Sequence, residues 1–299
     1  MKISNFTSYN NSFKGRNTDL KQADKILRKI NKDFASSSPW HADYRATKAR
    51  TLSEDMVATL WSTVKLNAFR EAQESVVNKN LYKYAICLIE GIRRYKVANC
   101  KELAEIAFLI GKANGIEDCY CANLYLKDSR FKNHTDIEHS IVILNQKPYK
   151  NSSFADPYYD DIPKQADLIV PDDKSIVVDP MFGIVDYWKN AKNLYINSGF
   201  INPQNNDELT IFIRKPIIES EKELKKLQAN YPIISFDNTQ EMSNQNKFDF
   251  RATDLALELY KSSVTKLHIN NNPPAELVES PSKVKKSKTL LEKFRRMIS

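Results

Sequence analysis

The chain has only six glycines in 299 residues, and neither G-x-G-x-x-G nor G-x-x-x-x-G-K occurs. Glycine-rich turns are what let a backbone close around a phosphate, so their absence argues against nucleotide-cradling loops and a dinucleotide fold. Cysteine is also scarce. Cys87, Cys100, Cys119 and Cys121 are too few for a disulfide scaffold in a chain this long, and a reducing compartment is the simpler expectation. No apolar run approaches the roughly 18 residues needed to span a bilayer. The opening segment, Met1 to Asn10, lacks the apolar stretch of a secretory signal. Export by the general secretory route is not expected.

What the chain has is a hydrophobic fraction of 41% with 10% aromatics, enough for a sizeable core in one large domain or two small ones. It also has a net charge of +8. That charge is concentrated at one end. Lys283, Lys285, Lys286, Lys288, Lys293, Arg295 and Arg296 stand against Glu292 alone in the last nineteen residues. The basicity is therefore a property of the tail and not of a groove on a folded domain, and no nucleic-acid partner is expected.

Along the chain, residues 1–18 are polar and read as a disordered leader. Residues 19–95 read as a helical region. Leu20, Ala23, Ile26, Leu27 and Ile30 recur at helical spacing, and residues 40–95 suggest three further helical pieces. A mixed region follows over 96–264. Asn99 to Gly115 is a helix, and 119–127, 137–144, 174–179 and 208–213 are strands. Residues 146–173 form a long loop, and 219–229 and 251–264 form short helices. Residues 265–299 read as a linker followed by a basic amphipathic tail carrying Leu290, Leu291, Phe294, Met297 and Ile298.

Three residues in this frame carry chemistry. Asn99 is a good N-cap and Glu102 stands three residues on, so Cys100 falls in the first turn of its helix. Free backbone N–H groups and the positive end of the helix dipole favour a thiolate there, and the same amides suit an oxyanion. Cys100, Ala104, Ala107 and Gly111 form a stripe of small residues that lets a sheet approach closely behind the thiol. The plainer alternative is a buried structural cysteine. His139 opens the apolar run Ile141 to Leu144. In a strand it shares a face with Ile141 and Ile143, and that face is expected to pack on the cysteine helix. Asp179 ends the strand Ser175 to Val178, where a carboxylate could orient the imidazole, or simply start an Asp-Pro turn. A thiol, an imidazole and a carboxylate in this order can make a nucleophile, a base and an orienter.

The segments Asn99 to Ala107, Glu138 to Ile143 and Val177 to Gly183 resemble the transglutaminase-like cysteine hydrolases of the papain-like superfamily, closest to those of bacterial effectors. The likeness covers about residues 95–190. It departs from the family's pattern at Met181, which precedes Phe182 after the Asp-Pro, and in a long stretch between His139 and Asp179. The resemblance implies an α+β fold in which a central helix headed by the nucleophile packs on an antiparallel sheet. It makes Cys100 the nucleophile, His139 the base and Asp179 the orienter, acting on a glutamine side chain or peptide bond of a protein substrate with no cofactor. Protease, glutamine deamidase and transglutaminase all share this triad. With the polar leader and no secretory signal, the resemblance further implies a protein made in the cytoplasm and delivered into another cell by a specialised system.

Other features have bland readings beside sharper ones. Cys119 and Cys121 lie on one strand face without a second ligand pair, so core packing is expected over metal binding. Asp156 to Asp161 could form a lid or a solvated loop, and Asp172-Asp173 reads as a turn. The tail at 283–298 suits an anionic membrane or an acidic partner, or is simply solvated. The alternative to an enzyme is an adaptor with a relic triad. It predicts a thiol far from the imidazole.

Overall fold

The computed structural model describes residues 18–34, 36, 52–77, 79–127, 139–146, 168–197, 208–237 and 247–269. The leader at 1–17, the acidic and aromatic loop at 156–161 and the basic tail at 283–298 lie outside them.

The architecture is mixed helix and antiparallel sheet. Among the described residues, four helices come first: α1 (Thr18–Asp33), α2 (Leu52–Val77), α3 (Leu81–Tyr95) and α4 (Cys100–Ala113). Then follow β1 (Cys119–Lys127), β2 (His139–Leu144), β3 (Ile176–Asp179), β4 (Ile184–Tyr187), α5 (Trp188–Asn197), β5 (Glu208–Ile213), α6 (Glu221–Asn230), a 3-10 turn (Pro232–Ile234) and α7 (Arg251–Ile269). The sheet order is β4-β3-β2-β1-β5, antiparallel at every step. No helix among the described residues is long and apolar enough to cross a membrane.

Strand alternation divides the apolar residues between two cores, one on each sheet face. Cys119, Cys121, Val142, Leu144, Ile176 and Val178 face the core shared with α1, α2, α3 and α4. Ala122, Leu124, Ile141, Ile143, Val177 and Ile211 face the smaller core under α5, with Trp188, Ala191 and Tyr195. Each fully buried aliphatic side chain in either core contributes about 1.5–3 kcal/mol. The N-terminal helices thus share the core of the cysteine helix. α1 buries Leu20, Ala23, Ile26 and Ile30 along one stripe, and α3 is buried on nearly every side.

Several expectations need correction. The face of β2 that meets α4 is Val142 and Leu144, not Ile141 and Ile143, which lie in the core under α5. The register explains this. Cys119 and Cys121 pair with Leu144 and Val142, so the strand face that carries the two thiols carries those residues to α4. The short strand β4 and the helix α5 were not expected at all. α7 continues to Ile269, so residues 265–269 are helical and not linker, and Thr18 belongs to α1 and not to the leader. The described part of residues 40–95 holds α2 and α3, and 40–51 lie outside. Within the expected loop at 146–173, Ile169 bridges Ile211 of β5.

Candidate active site

The helix that carries Cys100 starts where the sequence breaks into it. Asn99 is extended, with φ −107° and ψ −173°. Its carbonyl accepts the Leu103 N–H at 3.0 Å, and its own N–H donates to Glu102 Oε2 at 2.9 Å. Cys100 is therefore the first helical residue, and the first-turn amides have no intrahelical acceptor to turn to. Gly111 lies against Cys119, where a Cβ would stand 2.7 Å from Sγ. The Cys121 thiol donates to the Ala104 carbonyl at 3.5 Å. The small-residue stripe thus lets β1 approach to backbone distance.

The four cysteines divide by environment. Cys87, Cys119 and Cys121 are buried, while Cys100 is partly exposed. Burial pushes the Cys119 thiol up to about 12 and drives Cys87 and Cys121 up as well. Those three are thiols at any ordinary pH. Cys119 and Cys121 sit in the core beside α4, and among the described residues no group of three or more His, Cys, Asp or Glu is arranged to hold a metal.

His139, 2% exposed, is the first residue of β2. Its Nε2 stands 2.7 Å from Asp179 Oδ2, and its ring lies within the electrostatic reach of the Cys100 thiol. His139 heads β2 in register with Ile141 and Ile143, on the sheet face opposite the one that meets α4. Burial opposes a charged imidazole, but the Asp179 carboxylate and the Cys100 thiol outweigh it, and the ring is pushed up to about 10.

Asp179 is fully buried and accepts four hydrogen bonds. Oδ1 takes the N–H groups of Met181 at 3.0 Å and Phe182 at 3.2 Å. Oδ2 takes His139 and the Tyr195 hydroxyl, the latter at 2.7 Å. One oxygen therefore closes the turn between β3 and β4, and the other orients the ring. That turn ends at Gly183, whose φ of +68° favours glycine. One side chain thus both closes the turn and hydrogen-bonds the imidazole. Burial and then Asp179 hold the Tyr195 phenol well above its usual range, so it remains a donor. The Phe182 ring lies 5.0 Å from the His139 ring, and Tyr195 lies edge-on to it at 6.1 Å.

Cys100, His139 and Asp179 are thus brought together. Tyr195, Phe182 and Arg70 were missed. Trp188, Ala191 and Tyr195 recur at helical spacing, which was the available signal for α5. Arg70 makes a two-pronged bond to Glu102, Nε to Oε1 at 2.7 Å and Nη2 to Oε2 at 3.1 Å. No local pattern announces a partner that far along the chain. Asp172 and Asp173 sit in a turn closed by the Ser175 N–H to the Asp172 carbonyl at 2.8 Å.

No family model, curated protein or solved structure matches the chain.

Proposed function

We propose that the chain is a cysteine hydrolase or acyltransferase of transglutaminase-like, papain-like design, acting on protein amide bonds through Cys100, His139 and Asp179. The observation that carries this reading is the buried His139–Asp179 pair at 2.7 Å, its carboxylate held by three further donors and its ring within the electrostatic reach of the Cys100 thiol. The adaptor reading calls for a thiol far from the imidazole, and the electrostatic influence of Cys100 on the His139 ring argues against it.

In the proposed cycle the imidazole holds the thiol proton, and Sγ attacks the amide carbonyl carbon. The carbonyl oxygen takes negative charge, which the first-turn amides of α4 are placed to receive. The C–N bond then breaks. Its electron pair stays on nitrogen, which takes the proton from His139 and leaves as ammonia or an amine. Water, deprotonated by His139, cleaves the thioester to a carboxylic acid and restores the thiol. A lysine amine in place of water would give a crosslink. Asp179 keeps the ring in one orientation throughout.

The test is the pH profile of iodoacetamide alkylation at Cys100, located by peptide mapping, in the native chain and in His139→Ala. A fast thiol titrating well below about 8.5, with a profile altered by the substitution, supports the reading. A slow thiol indifferent to His139 supports the adaptor. Delivery into another cell as a bacterial effector belongs to the same proposal. It is contradicted if deleting residues 1–20 and, separately, the C-terminal tail leaves export unaffected.

A further inference from the structure

The nucleophile's helix is held from outside the triad. Phe69 of α2 fills a notch on α3 that exists because residue 91 is glycine. A Cβ there would stand 2.0 Å from the Phe69 ring. Phe69 also lies 6.2 Å from the Tyr95 ring, and Lys65 Nζ donates to the Tyr95 carbonyl at 3.2 Å. These contacts set the position of α2 along α3, and the next residue, Arg70, then meets Glu102. Glu102 is fully buried and turns one of the same two oxygens, Oε2, to the Asn99 N–H at 2.9 Å. The chain of contacts runs from Arg70 through Glu102 to the residue immediately before Cys100.

We propose that Arg70 is a positioning residue for the Cys100 nucleophile, acting through Glu102 and the N-cap Asn99. This rests on the reading of Cys100 as the nucleophile. Burial works against the Glu102 charge, but the Arg70 guanidinium holds its carboxyl below the usual range. The guanidinium also lies within the electrostatic reach of Cys100. The pair therefore does two things. It fixes the backbone at the helix start, and it presents the thiol with a cation and an anion that offset each other. Among the described residues, His139 also lies within the electrostatic reach of Cys100, itself paired with Asp179, and Lys101 on α4 acts on Glu102. Glu105, one turn on, is matched by Arg214 at 2.7 Å.

The test compares the pH midpoint of Cys100 alkylation by iodoacetamide in the full chain, in Arg70→Gln and in Glu102→Gln. Loss of the guanidinium leaves a buried anion near the thiol, so the midpoint rises by about one pH unit in Arg70→Gln. Loss of the carboxylate leaves the cation, and the Gln oxygen can still accept from Asn99, so the midpoint falls in Glu102→Gln. Arg70→Lys, which keeps the charge, returns the midpoint toward the native value. A role in stability alone would lower the unfolding midpoint of both Gln variants and leave both alkylation midpoints in place. That result, or shifts of the same sign in both, overturns the proposal. Glu102→Gln leaves no buried anion unmatched, so its predicted fall alone decides the matter if Arg70→Gln does not fold. A native Cys100 that alkylates like an ordinary exposed thiol would instead sink the nucleophile reading itself.

Discussion

Tyr195 and His139 meet at a single oxygen, Oδ2 of Asp179, each at 2.7 Å. The phenol comes from α5 and the imidazole from β2, and both belong to the side of the sheet away from the cysteine helix. The phenol thus holds the carboxylate from that side of the sheet.

Tyr195→Phe removes that donor and keeps the ring against His139. A hydrogen bond to a buried charged group contributes about 1.5–3 kcal/mol, so urea unfolding should show a loss of that order. Alkylation of Cys100 should slow as the carboxylate loses one of its restraints. Unchanged stability together with an unchanged alkylation rate would contradict the role.

Asp179→Asn keeps an oxygen for the turn amides of Met181 and Phe182 but turns an amide nitrogen toward His139 and Tyr195, two groups that need an acceptor. The fold should survive, because the turn closure is retained. Reactivity of Cys100 at neutral pH should fall, by as much as about 10⁴ if the loss matches that of a triad whose histidine is left in the wrong tautomer. Circular dichroism with alkylation kinetics separates the two outcomes.

The His139 ring links the site to stability. Its ordinary value of 6.5 is pushed up to about 10 in the fold. The folded chain holds the proton more tightly than the unfolded chain, so this stabilisation is complete below about pH 6.5. It is lost as the pH rises through about 10. Urea midpoints of the native chain should decline across that window, and His139→Gln should flatten the decline. Equal slopes in the two chains would show that the ring contributes nothing.

Gly111→Ala places a Cβ 2.7 Å from Cys119 Sγ. Overpacking of this kind costs about 1–3 kcal/mol, offset in part by the better helix propensity of alanine. Pairing it with Cys119→Ala should recover most of the loss. Thermal melts of the two single variants and the double variant close the cycle, and additive losses would mean that the two sites do not touch.

Much of the site was legible because its signals are local. The N-x-x-E arrangement at Asn99 and Glu102 marks a helix start without any knowledge of the fold. The stripe from Ala104 to Gly111 marks close packing. β1 and β5 were readable from their alternation and β-forming residues. The facing of β2 was not. Both of its faces are buried, so the run from Ile141 to Leu144 carries no polar side to show which residues meet which layer. β4 is only four residues long and ends directly in α5, too short for a periodic signal. Tyr195 and Arg70 reach their carboxylates across the chain, and such pairings exist only once the layers are stacked.

Cys100 and His139 grow out of different hydrophobic cores. Cys100 packs against the one shared with α1 to α4, while His139 has the register of the one under α5. Their encounter therefore requires both layers to be seated on the sheet at once. A fluctuation that lifts either layer would part them without unfolding the other. If Cys100 and His139 act together as proposed, the rate at which the thiol reacts counts the molecules in which both halves are docked.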